Sequence, residues 1–557
     1  MPVLERYKNT SEEKRNGVVY TPELLADFLA SKIVDYYNVE KQEINILDPA
    51  IGDGALIVAL IKKIREQYSK DIKIKVCGFD INQISLNRAL MVLSAHLPVE
   101  QISLKNVDFL DYLSESINCQ KGEYDLIIAN PPYIRTQLIT EQKLKQMNNL
   151  FDFGGRLDSY HVFLAGIGKL LSKDGIAGVI TSNSFMTTKT GAPLRKFLLK
   201  NYDIKEIYDL GDTKLFKAAV LPSIVIFGQN NKIKSSKIKF ASIYETQMQH
   251  NLHVKNIFEH LHSSTIIKAH SKNYKISVGV LPADNDSVWV VQDEEANKFN
   301  ETLKPNIWKN FEDISKIKVG VKTCADKIFI KDSKCTEDNK IELLYPLITH
   351  HSIERYKITD HSELKNIIYP HISQDNKTVP VQIENFPYLH QYLLSHKEQL
   401  LSRKYLLDAN RKWFELWVPH NPFLWSKNKI VFVDITDKPC FCYDNTGKIV
   451  NGDCYWLILN QNENEDLLFL LLAIANSTFI EKFYDTNFQN KLYAGRRRFI
   501  TQYVNKFPIP DPNSEISQEI ISIVKPICNT NTKITPHIEK HIDNLVWKSF
   551  GFKDAFG

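Results

Sequence analysis

The sequence predicts an α/β protein whose N-terminal part is a doubly wound, mostly parallel sheet, followed by a second domain of mixed α+β structure. Between Ile44 and Gln229, short runs rich in β-branched and aromatic residues alternate with stretches of helical period. Beyond Ser242 this alternation fades. The chain of 557 residues also exceeds one ordinary hydrophobic core, so we expect one domain over 1–245 and another over 246–557.

Seven strands are predicted in the first domain, with helices between them. A helix is expected before the first strand, because Thr21 can serve as its N-cap, Pro22 as its first residue and Glu23 as an acid in its first turn. The predicted strands are Asn45–Leu47, Lys73–Phe79, Gln101–Leu104, Leu126–Ala129, Ile176–Thr181, Lys205–Leu210 and Ser223–Phe227.

The second domain is predicted from less regular patterns. Thr246–Tyr274 is rich in His, Asn, Gln and Lys and predicts a connector with some helix. Helices are predicted over Glu465–Asn476 and Ser514–Val524. The predicted strands are Val288–Val291, Lys316–Val319, Lys327–Ile330, Lys429–Val433, Pro439–Tyr443 and Tyr455–Leu459.

The composition excludes some classes of protein. Hydrophobic residues make up 43% of the chain, and the longest apolar run, Leu467–Ala475, is too short for the ~20 residues that span a bilayer. The polar start of the chain has no apolar signal core, so a cytoplasmic location is expected. The net charge of +5 is small, which means that a polyanionic partner would have to meet a local basic patch.

The eight cysteines are scattered, which favours reduced thiols over a disulfide framework. Cys440, Cys442 and Cys454 could form part of a zinc site. The alternating Phe441 and Tyr443 favour a strand with small buried thiols instead, and no metal site is predicted.

The most informative motif is Asn130-Pro131-Pro132-Tyr133, which directly follows the apolar run Leu126–Ala129. Two prolines fix φ and remove two backbone donors, so the Asn130 amide and the Pro131 carbonyl can be held as acceptors beside the Tyr133 ring. Such a loop suits the exocyclic amino group of a base. The alternative is a proline-rich turn that only closes a buried strand.

A glycine loop follows the first predicted strand. The run Asp48–Gly54 leads from the strand into a helical pattern, as in nucleotide-binding units. Its spacing differs from the dinucleotide fingerprint, and Asp48 at the strand end would repel a pyrophosphate but accommodate a cationic amino group. An ordinary tight connection is the alternative.

Two further acids follow predicted strands, Asp80 at the tip of the second and Asp108 in the loop after the third. Asp80 can accept hydrogen bonds from both ribose hydroxyls, or it can cap the next helix. Asp108 can accept from an adenine amino group while Phe109 packs on the ring, although a solvated turn would use the same residues. The order of these acids, followed by the loop at Asn130, favours one composite site.

In this order the motifs resemble the gamma class of N6-adenine DNA methyltransferases, which depend on S-adenosylmethionine and carry a C-terminal target-recognition domain. The resemblance covers about residues 16–228, with Gly17–Pro22 similar to the N-terminal cofactor motif and Asp48–Gly54 to the glycine loop. It implies a Rossmann-like methyltransferase domain with a seven-stranded sheet.

The resemblance also implies roles for individual residues. Asn130, Pro131 and Pro132 would hold the target amine, while Tyr133 and Phe216 would stack on a flipped adenine. The resemblance implies that the cofactor is bound by Tyr20, Thr21, Asp48, Ala50, Gly52, Asp80, Ile81, Asp108, Phe109 and Phe163.

A basic and aromatic cluster in the second domain predicts contacts to double-stranded DNA. Lys491, Tyr493, Arg496, Arg497 and Arg498 are suited to phosphates and groove edges, although a solvated charged face has the same composition. The family implies a modification enzyme of a bacterial restriction-modification system, expected to be a monomer that acts apart from any cognate endonuclease and from membranes.

Other interpretations stay open at the level of sequence. Enzymes that methylate a glutamine amide or ribosomal RNA use the same tetrapeptide, since glutamine and guanine also present planar amino groups. A DNA-specificity module without catalytic activity is a further alternative. The long C-terminal part disfavours the compact glutamine enzymes, and the filled catalytic positions disfavour an inactive module.

Overall fold

Contacts within the chain define two compact units, one ending at Ala296 and the other beginning at Asn297. The sequence places the boundary at residue 245. The difference arises because two further strands, Thr265–Ala269 and Lys272–Val280, extend the sheet of the N-terminal unit. The computed structural model describes residues 21–38, 41–68, 72–116, 122–132, 151, 159–213, 215, 221–229, 238–246, 248–249, 252–281, 288–291, 293–332, 340–359, 365–488, 496–530 and 534–553, with the backbone alone at 114–116 and 159.

The N-terminal unit contains one ten-stranded sheet. The strands are β1 (Glu43–Asp48), β2 (Lys73–Phe79), β3 (Ile102–Lys105), β4 (Tyr124–Ala129), β5 (Leu171–Ser182), β6 (Tyr202–Asp209), β7 (Pro222–Gln229), β8 (Lys239–Glu245), β9 (Thr265–Ala269) and β10 (Lys272–Val280). Their order is β3-β2-β1-β4-β5-β7-β6-β8-β10-β9. The seven predicted strands are therefore confirmed, but β8, β9 and β10 extend the sheet beyond the seven strands that the resemblance implies.

The central strands are parallel. β1 pairs in parallel with β2 and β4, β2 with β3, and β4 with β5, whereas β7 is antiparallel to both β5 and β6. The stretch expected to be a connector with some helix contains a short 3-10 helix, Ile257–His260, but also β9 and the first three residues of β10. β10 is antiparallel to β8 and β9, so the expectation of a connector was wrong over these strands, where strand pairing rather than local composition organises the chain.

Helices cover both faces of the sheet. The alternation of side chains along β4 shows this, since Leu126 and Ile128 pack in one hydrophobic core while Ile127 and Ala129 pack in another. The predicted doubly wound architecture is therefore confirmed. The helices are Glu23–Tyr36, Ala55–Gln67, Gln83–Leu93, Phe109–Ser116, Ser159–Leu170, Ser184–Thr187 and Ala192–Asn201.

The first helix begins at Glu23, as predicted, but its cap differs. Pro22 occupies the N-cap position, and no side chain caps the helix. The prediction of Thr21 as N-cap was wrong, because the helix starts one residue later than a Thr21 cap requires and the Thr21 hydroxyl contacts another residue.

The C-terminal unit has mixed α and β structure. Its larger strands confirm the predictions at 316–319, 429–433, 439–443 and 455–459, and helices confirm those at 465–476 and 514–524. The strands are β11 (Lys309–Asn310), β12 (Ser315–Val319), β13 (Ile330–Asp332), β14 (Leu344–Ile348), β15 (Lys365–Ile368), β16 (His371–Gln374), β17 (Lys377–Pro380), β18 (Lys429–Val433), β19 (Ile435–Thr436), β20 (Phe441–Asp444), β21 (Ile449–Val450), β22 (Cys454–Leu459), β23 (Arg497–Arg498) and β24 (Pro508–Ile509). The α-helices are Glu294–Leu303, which begins just before the boundary, Phe311–Ile314, Asp326–Phe329, Pro387–Ser395, Lys397–Leu401, Lys404–Asp408, Leu467–Ala475, Thr478–Asn487, Thr501–Val504, Glu515–Asn529 and Pro536–Ser549.

Two predicted strands are absent from the described residues. Residues 288–291 form no strand, and Trp289 is buried with its backbone amide donating to Met186. Asp326–Phe329 is a helical turn, because Thr323 makes a side-chain hydrogen bond to Asp326 and accepts one from the Ala325 amide. These local polar bonds outweigh the β propensity of Ile328 and Phe329.

Among the described residues, no single helix is long and apolar enough to cross a bilayer. One pair, Leu467–Ala475 and Thr478–Asn487, meets the length and composition requirement only when both helices are joined across a bend of 67°. Every residue of Leu467–Ala475 is buried in the core of the C-terminal unit.

Candidate functional site

A cavity lies at the carboxyl ends of the parallel strands β1, β2 and β4. Because these ends meet at one edge of the sheet, the loops that follow the three strands converge there. The cavity brings together most of the described residues that the sequence predicts. Its lining consists of Thr21, Pro49, Ala50, Ile51, Gly52, Asp53, Ala55, Leu56, Asp80, Ile81, Asn82, Ser85, Val107, Asp108, Phe109, Leu110, Asn130, Pro132 and Phe163.

Asp48 ends β1 and is completely buried. It does not line the cavity, although the resemblance implies a contact with the cofactor. Its Oδ1 accepts a hydrogen bond from the Ala50 amide at 2.9 Å, while its Oδ2 is buried without a hydrogen-bond partner among the described residues. Burial raises the pKa of this carboxyl to about 8, and the nearby Asp80 and Asp53 add to the shift.

The glycine loop needs its glycines at two positions. Gly52 and Gly54 adopt φ values of 54° and 87°, which strain other residues. A hydrogen bond of 2.9 Å from the Ile51 amide to the Phe79 carbonyl ties the loop to β2. At Gly78 a methyl group would lie 2.4 Å from Ile51 Cδ1 and 3.2 Å from Ile51 Cβ, so the Ile51 side chain would have to move to accommodate it.

Asp80 connects two loops at the cavity. Its Oδ2 accepts from the Gly52 amide at 3.0 Å and its Oδ1 from the Asn82 amide at 2.7 Å. The next helix, Gln83–Leu93, is capped by Asn82, whose side chain accepts from the amides of Ile84 and Ser85. The alternative role of Asp80 as the helix cap is therefore not realised.

Apolar groups complete the walls of the cavity. Ile81 is 57% exposed beside Asp80, so it offers an apolar surface to a bound group. Phe109 and Phe163 are almost completely buried, and their ring centroids lie 5.1 Å apart. Asp108 accepts from the Leu110 amide at 2.9 Å, which fixes the start of the helix that carries Phe109.

Asn130 lines the cavity and directly follows the last residue of β4. Its Nδ2 donates to the Thr21 hydroxyl at 3.0 Å, a bond that orients the carboxamide. Pro131 is buried and Pro132 lines the cavity, so the two prolines hold this short loop in place. The structure thus joins the motif that ends at Pro22 with the motif that begins at Asn130, which are far apart in the sequence.

Five predicted residues lie outside the described residues: Tyr20, Tyr133, Phe216, Lys491 and Tyr493. Their roles stay predictions.

The three consecutive arginines differ from one another. Arg497 is bound inside the protein, because its Nε and Nη2 each donate to Asp485 at 2.8 Å and its Nη1 donates to the Asp437 carbonyl. This arrangement disfavours the predicted DNA contact for Arg497. Arg498 is half-exposed and pairs with Asp434, while Arg496 is exposed.

The sequence interpretation missed several residues that line the cavity, among them Asp53, Asn82 and Ser85. A signal for Asn82 was present, because a polar residue stood between the strand-end acid Asp80 and a helical pattern. Ser85 has no such signal, since only the first turn of its helix brings it to the cavity.

The set of groups in the cavity suits a nucleoside that carries a cationic amino acid arm. Asp80 and Asp108 can accept from hydroxyl and amino groups, and Ile81 with Phe109 can enclose a planar ring. Asp48 Oδ2 is a buried acceptor without a described partner, a position that a cationic group would stabilise. The charged residues that line the cavity, Asp53, Asp80 and Asp108, are all acids and would repel a pyrophosphate.

Two families match separate parts of this chain. Residues 56–216 match the Eco57I restriction-modification methylase, and residues 345–509 match the TaqI-like C-terminal specificity domain.

Two relatives are similar to this chain over nearly its whole length. The type II methyltransferase M.BanIII of Aneurinibacillus aneurinilyticus is 33% identical, over 97% of this chain and 98% of the relative. The type II methyltransferase M.BstVI of Geobacillus stearothermophilus is 26% identical, over 90% of this chain and 91% of the relative.

One solved structure shares the fold over most of the chain. The type IIL restriction-modification enzyme MmeI, solved in complex with DNA, aligns with a TM-score of 0.59 and 14% identity. The alignment covers 95% of this chain and 72% of that enzyme.

Proposed function

Because this chain belongs to the type II methyltransferases of restriction-modification systems, which take their methyl group from S-adenosylmethionine, we propose that it methylates the N6 amine of adenine in duplex DNA. The observation that carries this proposal is the carboxamide of Asn130, which lines the cavity and is held there by a hydrogen bond to the Thr21 hydroxyl. A carboxamide followed by two prolines presents acceptors to a planar amino group.

The residues at the cavity fit S-adenosylmethionine. Asp80 would accept from the ribose hydroxyls, Asp108 from the adenine amino group, and Ile81 with Phe109 would enclose the ring. The unpartnered oxygen of Asp48 beneath the loop would stabilise the cationic methionine end. When bound, the cofactor supplies an electrophilic methyl group on a sulfonium.

The protein's own groups must activate a poor nucleophile. The lone pair of an aromatic amine is delocalised into the ring. Accepting its two N–H bonds, through Asn130 Oδ1 and the Pro131 carbonyl, favours a pyramidal nitrogen whose lone pair points away from the ring. These fixed dipoles also stabilise the positive charge that develops on the nitrogen.

The target base must leave the helix to reach this site. An adenine amine inside the duplex is covered by its neighbours, so the base is extruded into a pocket and stacked on aromatic rings. Tyr133 and Phe216 are proposed for this stacking. The TaqI-like specificity domain at 345–509 is proposed to bind and read the duplex around it.

Digestion of DNA from cells that express the protein, followed by mass spectrometry of the nucleosides, tests the proposed chemistry. N6-methyladenine is expected above the background of a host that lacks adenine methyltransferases. N4-methylcytosine in its place would contradict the choice of base.

A second measurement tests the substrate class. Purified protein is incubated with S-adenosylmethionine labelled in its methyl group, together with duplex DNA, total RNA and cell protein in separate reactions. Label is expected in DNA alone. Label in RNA or protein would favour the alternative methyltransferases, and cofactor binding without transfer would favour an inactive specificity module.

A further inference from the structure

The strands β16 and β17 of the C-terminal unit form a two-stranded ribbon. Among the described strands they pair only with each other, in an antiparallel register. The two residues between them, Asp375 and Asn376, have φ values of 49° and 60°. Positive φ at both central residues is typical of the type I′ turn, whose twist matches that of the strands. The ribbon therefore ends in a tight tip of two residues.

The two faces of the ribbon differ. His371 is buried and the Ser373 hydroxyl is buried, so these two side chains face the body of the unit. Side chains alternate along a strand, which turns the other set outward. Ile372 is 45% exposed, and Gln374 and Lys377 are also exposed. The outward set, called the ribbon face, consists of Ile372, Gln374, Lys377 and Val379.

The base of the ribbon is fixed to the rest of the unit. The Val381 amide donates to the Pro370 carbonyl at 3.1 Å, and His371 Nε2 lies 3.5 Å from Glu415 Oε2. A hairpin without such packing is only marginally stable in water. Because its inner face is buried, the ribbon can be ordered while the ribbon face stays open to a partner.

A neighbouring turn adds an exposed aromatic ring near the tip. Asn421 Nδ2 donates to the Asn376 carbonyl at 3.4 Å, and Asn421 Oδ1 accepts from the Phe423 amide at 3.1 Å. Phe423 is 68% exposed, more than any other large hydrophobic side chain described in the C-terminal unit. The ribbon and this turn therefore present polar and apolar groups side by side.

The balance of charge around the tip is positive. A methyl group on Gly447 would lie 3.8 Å from Ser426 Cα, which brings the residue after Gly447 close to the same turn. The acids in this region are Asp375 at the tip and Glu465, which accepts from the side chain at position 428. The lysines of the ribbon and the turn are Lys377, Lys427 and Lys448. A polyanion is therefore the partner that the charges favour.

The dimensions and side chains of the ribbon suit the major groove of DNA. This groove is about 12 Å wide and admits a two-stranded β-ribbon. Gln374 and Lys377 lie directly opposite each other on the two strands, beside the tip. Glutamine can pair with the edge of adenine, lysine can donate to guanine, and an apolar group such as Ile372 can contact the thymine methyl.

We propose that the ribbon face enters the major groove and reads part of the methylation site, with Gln374 and Lys377 on base edges and Lys427 on a flanking phosphate. This inference rests on the proposed function, in which the domain at 345–509 reads the duplex. It assigns the reading to one element of that domain and to one groove of the DNA.

The first test compares Gln374→Ala and Lys377→Ala with Gln399→Ala, which changes an exposed glutamine on the helix Lys397–Leu401. Each protein is expressed in a host without adenine methyltransferases, and modified bases are sequenced. We expect both ribbon variants to accept other bases at one position of the site, with discrimination lowered by about 10- to 100-fold. Gln399→Ala should keep the parental sequence. Since Gln374 and Lys377 are exposed, neither substitution removes a buried contact.

The second test uses base analogues to locate the contact. Replacing N7 of the purine at the relaxed position by carbon removes a major-groove acceptor and leaves the minor groove unchanged. Methylation by the parent should slow by about tenfold on this duplex, whereas Gln374→Ala should lose little more, because its contact is already absent. Gln374→Glu should shift the preference toward cytosine, whose amino group an acid can accept from.

Lys427→Ala tests the phosphate contact. It should weaken binding to all duplexes alike and reduce the slope of log affinity against log salt concentration by about 0.9, with the methylated sequence unchanged. Titrations of labelled duplexes at several salt concentrations measure this slope. A relaxed methylation sequence in Lys427→Ala would overturn the assignment of this lysine to a phosphate.

The outcomes distinguish this inference from the proposed function. If the parent methylates no adenine in DNA, the proposed function fails and the inference fails with it. If the parent methylates a defined sequence and both ribbon variants match Gln399→Ala, the ribbon is overturned as a reader while the proposed function stands. A uniform loss with a lower salt slope in both ribbon variants, or equal losses on the N7 analogue for parent and Gln374→Ala, would also overturn it.

Discussion

At the scale of single residues, the contact between Asn130 and Thr21 is central to the proposed chemistry. We expect Asn130→Ala to lower methyl transfer by at least about 100-fold, the usual cost of removing one fixed donor or acceptor at a reacting centre. Cofactor and DNA affinities should stay within about threefold, since each is proposed to rest mainly on other residues, the cofactor on Asp80 and Asp108 and the duplex on the domain at 345–509. Equilibrium binding and single-turnover rates measured on one preparation provide the check. Unchanged turnover would remove Asn130 from the mechanism.

Thr21 permits a finer test of the same contact. Its hydroxyl accepts from Asn130 Nδ2, so Thr21→Val removes the acceptor at nearly constant shape, while Thr21→Ser keeps it. We expect a methylation rate about tenfold lower for Thr21→Val and within about twofold of the parent for Thr21→Ser. A parent-like rate for Thr21→Val would show that the hydroxyl does not matter, and a lower rate for Thr21→Ser than for Thr21→Val would assign the effect to the methyl group.

The buried carboxyl of Asp48 should make the free energy of unfolding depend on pH. Its pKa in the folded protein is raised by burial to about 8, from an ordinary value of 3.8. Between these two values the folded state binds a proton that the unfolded state lacks, so stability falls as pH rises, by at most ~1.4 kcal/mol per pH unit. Above about pH 8 the dependence ends.

Asp48→Asn removes this titration, because the amide is neutral at every pH. The free energy of unfolding of the variant, relative to the parent, should therefore increase from pH 5 to pH 8 and then stay level. Chemical denaturation without cofactor measures it. Parallel stability profiles for the two proteins would mean that Asp48 is ionised in the folded state.

At the scale of elements, β2 and the glycine loop fit together through Gly78. A methyl group there would lie 2.4 Å from Ile51 Cδ1, whereas at Gly228 in the same sheet the nearest atom, the Gly175 carbonyl oxygen, lies at 3.3 Å. Gly78→Ala should displace the loop and weaken cofactor binding by about tenfold or more, with Gly228→Ala as the matched control. Isothermal titration with S-adenosylmethionine decides between them, and equal affinities would contradict the close fit.

The strands of the first sheet show where the local residue pattern was sufficient to predict secondary structure. Each predicted strand of the first sheet was a short apolar run followed by a polar or glycine-containing loop, and all seven formed. The segment at Lys327–Ile330 had the same apolar character but became a helical turn. The helical turn is stabilised by a hydrogen bond between the Thr323 and Asp326 side chains. Such a bond is not part of the β propensity of the residues, on which the strand prediction was based.

At the scale of the whole molecule, each unit has its own hydrophobic cores, so damage to one should spare the other. Lys429 and Asp444 form an ion pair of 2.6 Å with both side chains fully buried in the C-terminal unit. Lys429→Met leaves Asp444 uncompensated, which should cost ~3–5 kcal/mol of stability in that unit. DNA affinity should fall, while affinity for S-adenosylmethionine should not change.

The control for this prediction is Lys525→Met, which removes an exposed ion pair with Asp466. Exposed pairs contribute at most ~1 kcal/mol, so its DNA affinity should match that of the parent. Thermal unfolding followed by DNA and cofactor titrations measures both variants. Loss of cofactor affinity in Lys429→Met would show that the two units do not behave independently.

The sequence by itself determined the elements of the first sheet and the residues that follow them. Strand runs, the acids at Asp48 and Asp80, and the loop at Asn130 are local features, because periodicity and the residue after a strand are properties of a short stretch of chain. Of the described residues that line the cavity, these local features identified Asp80 and Asn130, while the family resemblance supplied Thr21, Ala50 and Phe163 among others.

Only the tertiary structure decided which of these groups meet and how each is used. It placed Asp48 beneath the loop, bound Arg497 to Asp485, joined Thr21 to Asn130 and added the strands at 265–280 to the sheet. Each of these results depends on pairing or burial between segments far apart in the chain. A local pattern carries no information on such distances, since strand register and side-chain burial are set only when the whole sheet is assembled.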